Sequence, residues 1–317
     1  MQQNWTRVCA PQIRELMERL LANYKVLEIQ ELRLRAGQPL SLRTSQGICY
    51  VTKAGELSPG WQDAFEVRPE HVRDTLAFAS RHSVYALEEE IRNGFITIPG
   101  GHRVGLAGTA VVKEERVTGL SSISSLNIRI AGQVLGCATP VYPVLFEQER
   151  FCNTMIVSPP GLGKTTLLRD LIRLLSNGHA GRPALSVSVV DERGELGACV
   201  SGVPQNDLGR NTDILTGAPK AQGLRMMLRT MTPSVIAVDE LGGEEDIRAL
   251  LDGLHGGCRM VATIHGDGRE DLVERQYVDE LLRNRMVERI VTLRCRTGRI
   301  RCQVQNEKGN LLYDAWR

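Results

Sequence analysis

The sequence has no apolar run approaching the ~18 residues that a membrane-crossing helix needs, so no segment of it is expected to span a bilayer. Its first residues, Met1-Gln2-Gln3-Asn4-Trp5, lack the basic-then-hydrophobic order of an export signal, and a cytoplasmic location is expected. The eight cysteines are scattered, with no C-x-x-C pair and no cysteine–histidine cluster at zinc-ligand spacing, which excludes a zinc module and fits a reducing compartment. Aromatic residues make up only 4% of the chain, leaving few stacking platforms for nucleic-acid bases. Charge of one sign is also missing: 39 Lys and Arg against 37 Asp and Glu give +2. No whole-molecule field therefore draws the chain to nucleic acid or an anionic membrane, and any such partner needs a local patch. Direct nucleic-acid binding is not expected.

What is present is an ordinary globular balance, 42% hydrophobic and 24% charged, over 317 residues, a length that suggests two domains. Ile13, Leu16, Met17, Leu20 and Leu21 recur at helical spacing and predict an opening helix from Pro11. Ile29 to Arg35 alternates apolar with polar and stops at Gly37, which predicts a strand and a turn; shorter strands are expected at Leu40–Leu42 and Ile48–Val51. A second helix is predicted from about Val72 to Ile91, ending at Asn93-Gly94 with an acidic surface at Glu88-Glu89-Glu90. Phe95–Ile98, a turn at Pro99-Gly100-Gly101 and His102–Val111 predict a hairpin.

This first part reads as α+β and is expected to span residues 1–135, with 136–150, punctuated by Gly136, Pro140 and Pro143, as a linker to a second domain at 151–317. In that domain short apolar runs at Met155–Val157, Val187–Val190, Val235–Val238 and Met260–Thr263 alternate with helical segments, the pattern of an α/β domain with a mainly parallel sheet. A closing hairpin is expected across Thr297-Gly298-Arg299, with its arginines on a solvated sheet face.

The chemistry is concentrated where a strand from Thr154 runs into Ser158-Pro159-Pro160-Gly161-Leu162-Gly163-Lys164-Thr165-Thr166 and opens a helix bearing Leu167, Leu168, Leu171, Leu174 and Leu175. That is the context of a P-loop, and these nine residues are expected to bind nucleotide. Gly161 and Gly163 let main-chain N–H groups converge on phosphate oxygens at a helix N-terminus, whose dipole favours an anion. Lys164 adds a mobile positive charge, and Thr165 a hydroxyl suited to Mg²⁺. The pattern G-x-x-x-x-G-K-[ST] has glycine where Ser158 stands, so a tighter turn or an altered dihedral is expected there.

Two strands end in acid. After Val235–Val238 come Asp239, expected in the Mg²⁺ shell with Thr165, and Glu240, expected to orient or deprotonate the attacking water. After Val187–Val190 come Asp191-Glu192-Arg193-Gly194-Glu195, in which Glu192 or Glu195 is an alternative base; the competing reading makes one acidic pair a helix cap or a surface ion pair. Met260–Gly266 is a strand ending in Thr263 and His265 on the side that faces a ligand crevice, so His265 is a candidate γ-phosphate sensor. The absence of an Asn-Lys-x-Asp guanine-reading motif favours ATP over GTP.

The order of these segments, with Arg225 and Arg229 ahead of the Pro233–Glu240 strand, resembles the secretion ATPases of the type II and type IV kind, where the corresponding segments are called Walker A, Asp box, Walker B and His box. More narrowly, Glu31-Leu32-Arg33-Leu34-Arg35-Ala36-Gly37, Ser83 to Thr97, Gly100 to Leu106 and Val203-Pro204-Gln205-Asn206-Asp207 resemble the stage III sporulation AA family of endospore-forming bacteria. The resemblance implies a RecA-like P-loop NTPase domain preceded by a smaller α+β domain. It also implies a mother-cell ATPase using ATP and Mg²⁺, assembled as a hexameric ring and attached peripherally to membrane proteins of the stage III sporulation channel. It carries Lys164 and Thr165 to nucleotide and Mg²⁺, Glu192 or Glu195 to the Asp box, Asp239 and Glu240 to Walker B, and His265 to the His box. Many secretion ATPases have Gly-Glu where this chain has Asp239-Glu240, which leaves the division of labour between Glu192 and Glu240 open. Ring ATPases of this kind bring positive charge to the transferred phosphoryl group from elsewhere, and Arg103, Arg129, Arg210 and Arg229 are the candidates. A nucleotide-gated structural subunit with little turnover and a RecA-like nucleic-acid ATPase are the other classes this core can serve; turnover separates the first, and stimulation by single-stranded DNA the second.

Overall fold

Pro11, which has no N–H to leave unpaired, starts helix α1 (Pro11–Asn23), and Ile13, Leu16, Met17 and Leu20 form its buried side. The computed structural model describes residues 2–24, 27, 29–80, 91, 94–113, 116–273, 276–284, 286–296 and 298–316, and the chain divides into two units, Met1–Gly132 and Gln133–Arg317.

In the first unit α1 is followed by β1 (Ile29–Arg35), β2 (Gln38–Pro39), β3 (Ser41–Thr44), β4 (Gly47–Val51), β5 (Leu57–Ser58), β6 (Glu66–Val67), α2 (Pro69–Ala79), β7 (Phe95–Ile98), β8 (His102–Lys113) and β9 (Arg116–Arg129). An antiparallel sheet runs β5-β4-β3-β1-β9-β8-β7, and β2 pairs separately with β6. Alternation along β1 turns Leu32 and Leu34 into a core shared with Leu42, Val104, Leu126 and Ile128 and with Ile13, Leu20 and Val72 of the helices. Buried His102 accepts the Ala131 N–H on Nδ1 at 2.9 Å, and burial pushes its pKa down to about 4, so the ring is neutral. The first half of β9 is largely solvent-exposed against β8, so no buried face dictates its pattern. The helix predicted from about Val72 to Ile91 is α2, which starts at Pro69 and ends at Ala79 with Ser80 as its cap; residues 81–90, 92 and 93, including Glu88-Glu89-Glu90, lie outside the described residues.

The stretch expected to be a linker, 136–150, holds a 3₁₀ turn at Tyr142–Leu145, strand β10 (Phe146–Glu147) and the start of β11 (Arg150–Phe151). Ala138, Val141, Tyr142 and Leu145 are fully buried in the second unit, and the Ala138 N–H donates to buried Asp170 at 2.7 Å. The Gly and Pro punctuation there turns an apolar segment back onto the core.

The remaining elements of this unit are β12 (Thr154–Ser158), α3 (Lys164–Asn177), β13 (Val187–Asp191), β14 (Thr212–Thr216), α4 (Lys220–Met231), β15 (Val235–Val238), α5 (Glu244–His255), β16 (Arg259–His265), α6 (Arg269–Val273), α7 (Gln276–Arg283), β17 (Arg289–Arg296), β18 (Arg299–Asn306) and β19 (Leu311–Trp316). The described strands order as β14-β13-β15-β16-β12-β17-β18-β19, parallel from β14 to β17 and antiparallel beyond. β12, β13 and β15 are buried along their whole length, as strands covered on both faces must be. Leu167, Leu168, Leu171 and Ile172 of α3 pack on one face with Val189 and Ala237; Leu224 of α4 and Ile247 and Leu250 of α5 pack on the other with Ile236 and Met260. Each such leucine contributes roughly 2–3 kcal/mol of burial. The second unit is an α/β domain with a mainly parallel sheet, and the first is a smaller α+β unit built on an antiparallel sheet. The predicted terminal hairpin is β17–β18, with Arg296 opposite Arg299 and Thr297 outside the described residues; β19 adds an unpredicted edge strand.

Candidate nucleotide site

The parallel registers put the carboxyl ends of β12, β13, β15 and β16 at one edge of the sheet, Ser158 directly opposite His265. Between β12 and α3 the loop turns on Gly161 (φ +78°) and Gly163 (φ +88°), left-handed conformations that favour glycine. Ser158 is fully buried, lies outside the left-handed region and donates its hydroxyl to the Pro159 carbonyl at 2.8 Å, so serine replaces the usual glycine without backbone strain. Lys164, the first residue of α3, is 6% exposed. Its Nζ donates to the Ser158 carbonyl at 3.3 Å and to Nδ1 of His265 at 3.1 Å. Burial lowers its pKa from the usual lysine value, opposed by Glu240 and Asp239.

Asp239 accepts the Thr165 hydroxyl on Oδ2 at 2.8 Å and the Thr263 hydroxyl on Oδ1. Thr263 Oγ1 in turn accepts the Glu240 N–H at 2.8 Å, which holds Glu240 in a left-handed conformation (φ +54°) at the end of β15. That conformation costs a non-glycine residue about 1–2 kcal/mol and aims the side chain away from the strand direction. Glu240 Oε1 lies 2.9 Å from His265 Nε2, Oε2 accepts from Arg193 at 2.6 Å, and the main-chain oxygen accepts from the buried ammonium of Lys220. An ammonium only donates, so Nδ1 of His265 accepts from Lys164 and its Nε2–H donates to Glu240. P-loop lysine, imidazole and carboxylate are thereby one chain of bonds.

The second acidic strand end is organised differently. Asp191, 2% exposed, spends its carboxylate on the Glu195 N–H at 2.9 Å and the Gly197 N–H at 2.8 Å, closing its own loop. Glu192 is more exposed and pairs with Lys220 at 3.3 Å. Glu195 is exposed; its carbonyl and that of Leu196 accept from Arg169 of α3, at 2.6 and 3.1 Å, which ties this loop to the P-loop helix. Burial lowers the pKa of Arg169, and Asp191 foremost among the neighbouring acids opposes the shift.

Lys164, Thr165, Asp239, Glu240 and His265 are thus joined by direct bonds, Glu192 joins them through Lys220, and Glu195 enters only by its main chain. Arg210 donates its N–H to Asn177 at the end of α3 remote from Lys164, about 20 Å along a helix of that length. Arg229 sits at the end of α4 opposite Lys220, lining a separate cavity with Arg225, Pro233 and Gly256. Arg103 and Arg129 face each other across β8 and β9 in the first unit. The sequence assigns no site role to Arg193, Lys220 or Arg169 and names Thr263 only as part of a strand end; the signals for them are an arginine set between two acids, a lysine at a helix start and a hydroxyl two residues before a strand-end histidine. One other cluster, Glu147, Cys152 and Glu288, has its carboxylates committed to Arg150 and Arg259. A loop of convergent N–H groups with a lysine fits phosphates, and the hydroxyl and carboxylate of Thr165 and Asp239 fit a hard cation such as Mg²⁺.

The family model for sporulation stage III, protein AA matches residues 1–312. Stage III sporulation protein AA of Bacillus subtilis (strain 168) is 41% identical over 287 residues, 90% of this chain and 89% of its own. Among solved structures, the Legionella pneumophila ATPase DotB superposes with a TM-score of 0.55, covering 92% of this chain and 80% of its own at 14% identity. The pilus retraction motor PilT, solved with bound ADP, superposes with a TM-score of 0.57, covering 94% and 81% at 16% identity. At such identities the two structures share the fold with this chain.

Proposed function

The chain belongs to the sporulation stage III protein AA family, and from that premise we propose that it is an Mg²⁺-dependent ATPase of the secretion-motor kind. The observation that carries the reading is Asp239, held between the hydroxyls of Thr165 and Thr263 beside a P-loop, with Glu240 turned out next to it. Bound Mg²⁺–ATP would supply the reacting phosphoryl group and the metal charge that stabilises it. Residues 158–166 bind the phosphates, and Lys164 leaves Ser158 and His265 to do so. Thr165 and Asp239 hold the metal. Glu240 orients the attacking water and takes its proton, with Arg193 bonded to Oε2 and His265, bonded to Oε1, placed to register the change. Glu192, one lysine away, is the alternative carboxylate, and Glu195 borders the same loop. The names of DotB, an ATPase, and PilT, a motor with bound ADP, support the same reading.

The proposal extends to a hexameric ring in the mother cell, working with membrane proteins of the stage III channel, with the transition-state arginine drawn from Arg103, Arg129, Arg210 and Arg229. No described helix is long and apolar enough to cross a membrane, so attachment would run through partners. Steady-state ATP hydrolysis with Mg²⁺, measured across a protein concentration series beside Lys164→Ala and Glu240→Gln, tests it. Turnover that rises with concentration and is lost in both variants supports a ring ATPase. Tight ATP binding with no turnover at any concentration overturns it in favour of a nucleotide-gated structural subunit.

A further inference from the structure

The outward face of the first unit's sheet holds the local charge that the whole-chain balance conceals. Cross-strand register places Ile48 and Tyr50 of β4 opposite Arg43 and Ser41 of β3, and these opposite Glu31 and Arg33 of β1, with Arg35 two residues on. All stand on the side away from Leu32, Leu34 and Leu42. All of these except Glu31, with Gln38 and Glu66 of the β2–β6 ribbon and a turn bearing Trp61 and Gln62, line a cavity of about 600 Å³, within the size range of small-molecule sites. Three arginines line it against one carboxylate, Glu66. Arg33 is partly spent on Glu31, at 2.8 Å, and exposed Arg43, directly across the strand from Glu31, also acts on that carboxylate but makes no hydrogen bond or ion pair among the described residues. Beside these cations Trp61 is 61% and Ile48 65% exposed. Three guanidinium groups against one carboxylate on the wall of a cavity that also leaves an indole in water call for both halves of a ligand at the same place, an anion and a flat apolar ring.

We propose that this cavity is a second ligand site, distinct from the P-loop, which takes a nucleoside phosphate: Arg33, Arg35 and Arg43 hold the phosphate, Trp61 and Tyr50 cover the base, and the Gln38 and Gln62 amides meet its edge. Arginine suits the task because its planar fork engages phosphate oxygens in pairs, and all three cations on the cavity wall are arginine. An acidic peptide would satisfy the guanidinium groups, but its carboxylates leave the exposed indole without a ring to stack on. The site does not depend on the ATPase reading, since none of its residues belongs to the nucleotide site of the second unit.

The test uses the full chain and AMP, which lacks the β- and γ-phosphates that a P-loop lysine reaches. Titration calorimetry and tryptophan fluorescence are expected to give one saturable AMP site, weakened at least about tenfold by Arg43→Ala and by Trp61→Ala and unchanged by Lys164→Ala. Both altered residues are exposed, and circular dichroism checks that the variants fold. The proposal is overturned if no saturable binding occurs up to ~10 mM AMP, or if Lys164→Ala removes the binding while Arg43→Ala spares it. It is equally overturned if hexaglutamate binds with the same dependence on Arg43 and AMP does not, which would make the face a peptide-docking patch.

Discussion

Two strands of the second unit end in the same dipeptide, Asp191-Glu192 on β13 and Asp239-Glu240 on β15, yet the fold gives the pairs opposite employment. Asp191 turns its carboxylate back on main-chain N–H groups of its own loop, whereas Asp239 turns outward to hydroxyls from two other elements. Glu192 pairs with Lys220; Glu240 meets His265 and Arg193 and has a left-handed backbone. Strand order explains the difference. β15 is two strands from the P-loop strand, with β16 between them lending Thr263 and His265, while β13 is one strand further out and faces β14. Composition is identical, so position in the sheet decides which aspartate reaches the hydroxyls beside the P-loop and which closes its own loop.

Exchanging the two aspartates is the sharpest way to break this contrast. Asp239→Ala is expected to lower ATP turnover by roughly 10²–10³-fold with little change in unfolding temperature, because it removes a charge at the reacting group and leaves the buried core intact. Asp191→Ala should do the reverse: it strands two N–H donors beside a buried cavity, costing about 2–4 kcal/mol and lowering the unfolding midpoint by several degrees. Equal loss of turnover with no change of midpoint for Asp191→Ala would erase the distinction. One step smaller, Glu240→Gln is expected to cost about 10²-fold in kcat and Glu192→Gln less than about tenfold, measured at saturating ATP. If the order inverts, Glu192 is the catalytic carboxylate and Lys220 its positioning partner.

Much of this was open to reading in the chain itself, and the reason is physical. The P-loop, the buried strands β12, β13, β15 and β16 and the strand-end acids are local: apolar runs of fixed length, glycines at forced dihedrals and carboxylates at the ends of strands. Lys220, Arg193 and Thr263 were not, because their roles depend on which strands become neighbours, and strand order is a property of the whole sheet. The same holds for 136–150, where proline and glycine suggest a linker while Tyr142 and Leu145 pack into the core of the second unit. The basic face around Arg43 was invisible to net charge, since an average over 317 residues cancels a patch of three arginines.

Lys220 offers a finer test of the comparison, because it touches both acidic ends, Glu192 through an ion pair and the Glu240 carbonyl through a hydrogen bond. It is also 8% exposed, so Lys220→Met, which keeps the apolar stem, leaves a carbonyl and a carboxylate without their donor. A drop of roughly ten- to thirtyfold in kcat with KM nearly constant is expected, since what is lost is the orientation of Glu240 and not the phosphate cradle. A rise in KM alone would instead assign Lys220 to nucleotide binding.

The smallest effect belongs to Arg193, whose side chain is 67% exposed although it lies 2.6 Å from Glu240. Exposed ion pairs contribute about 0.2–1 kcal/mol, so Arg193→Ala should slow turnover only about two- to fivefold. What marks the interaction as electrostatic is its response to salt. Screening over roughly 8–10 Å at moderate ionic strength weakens an exposed pair, so wild type and Arg193→Ala should converge as salt rises, whereas the deficit of Lys220→Met, buried beside the same glutamate, should persist. Convergence of both variants would mean that burial does not separate them and that the two strand ends share one solvated network.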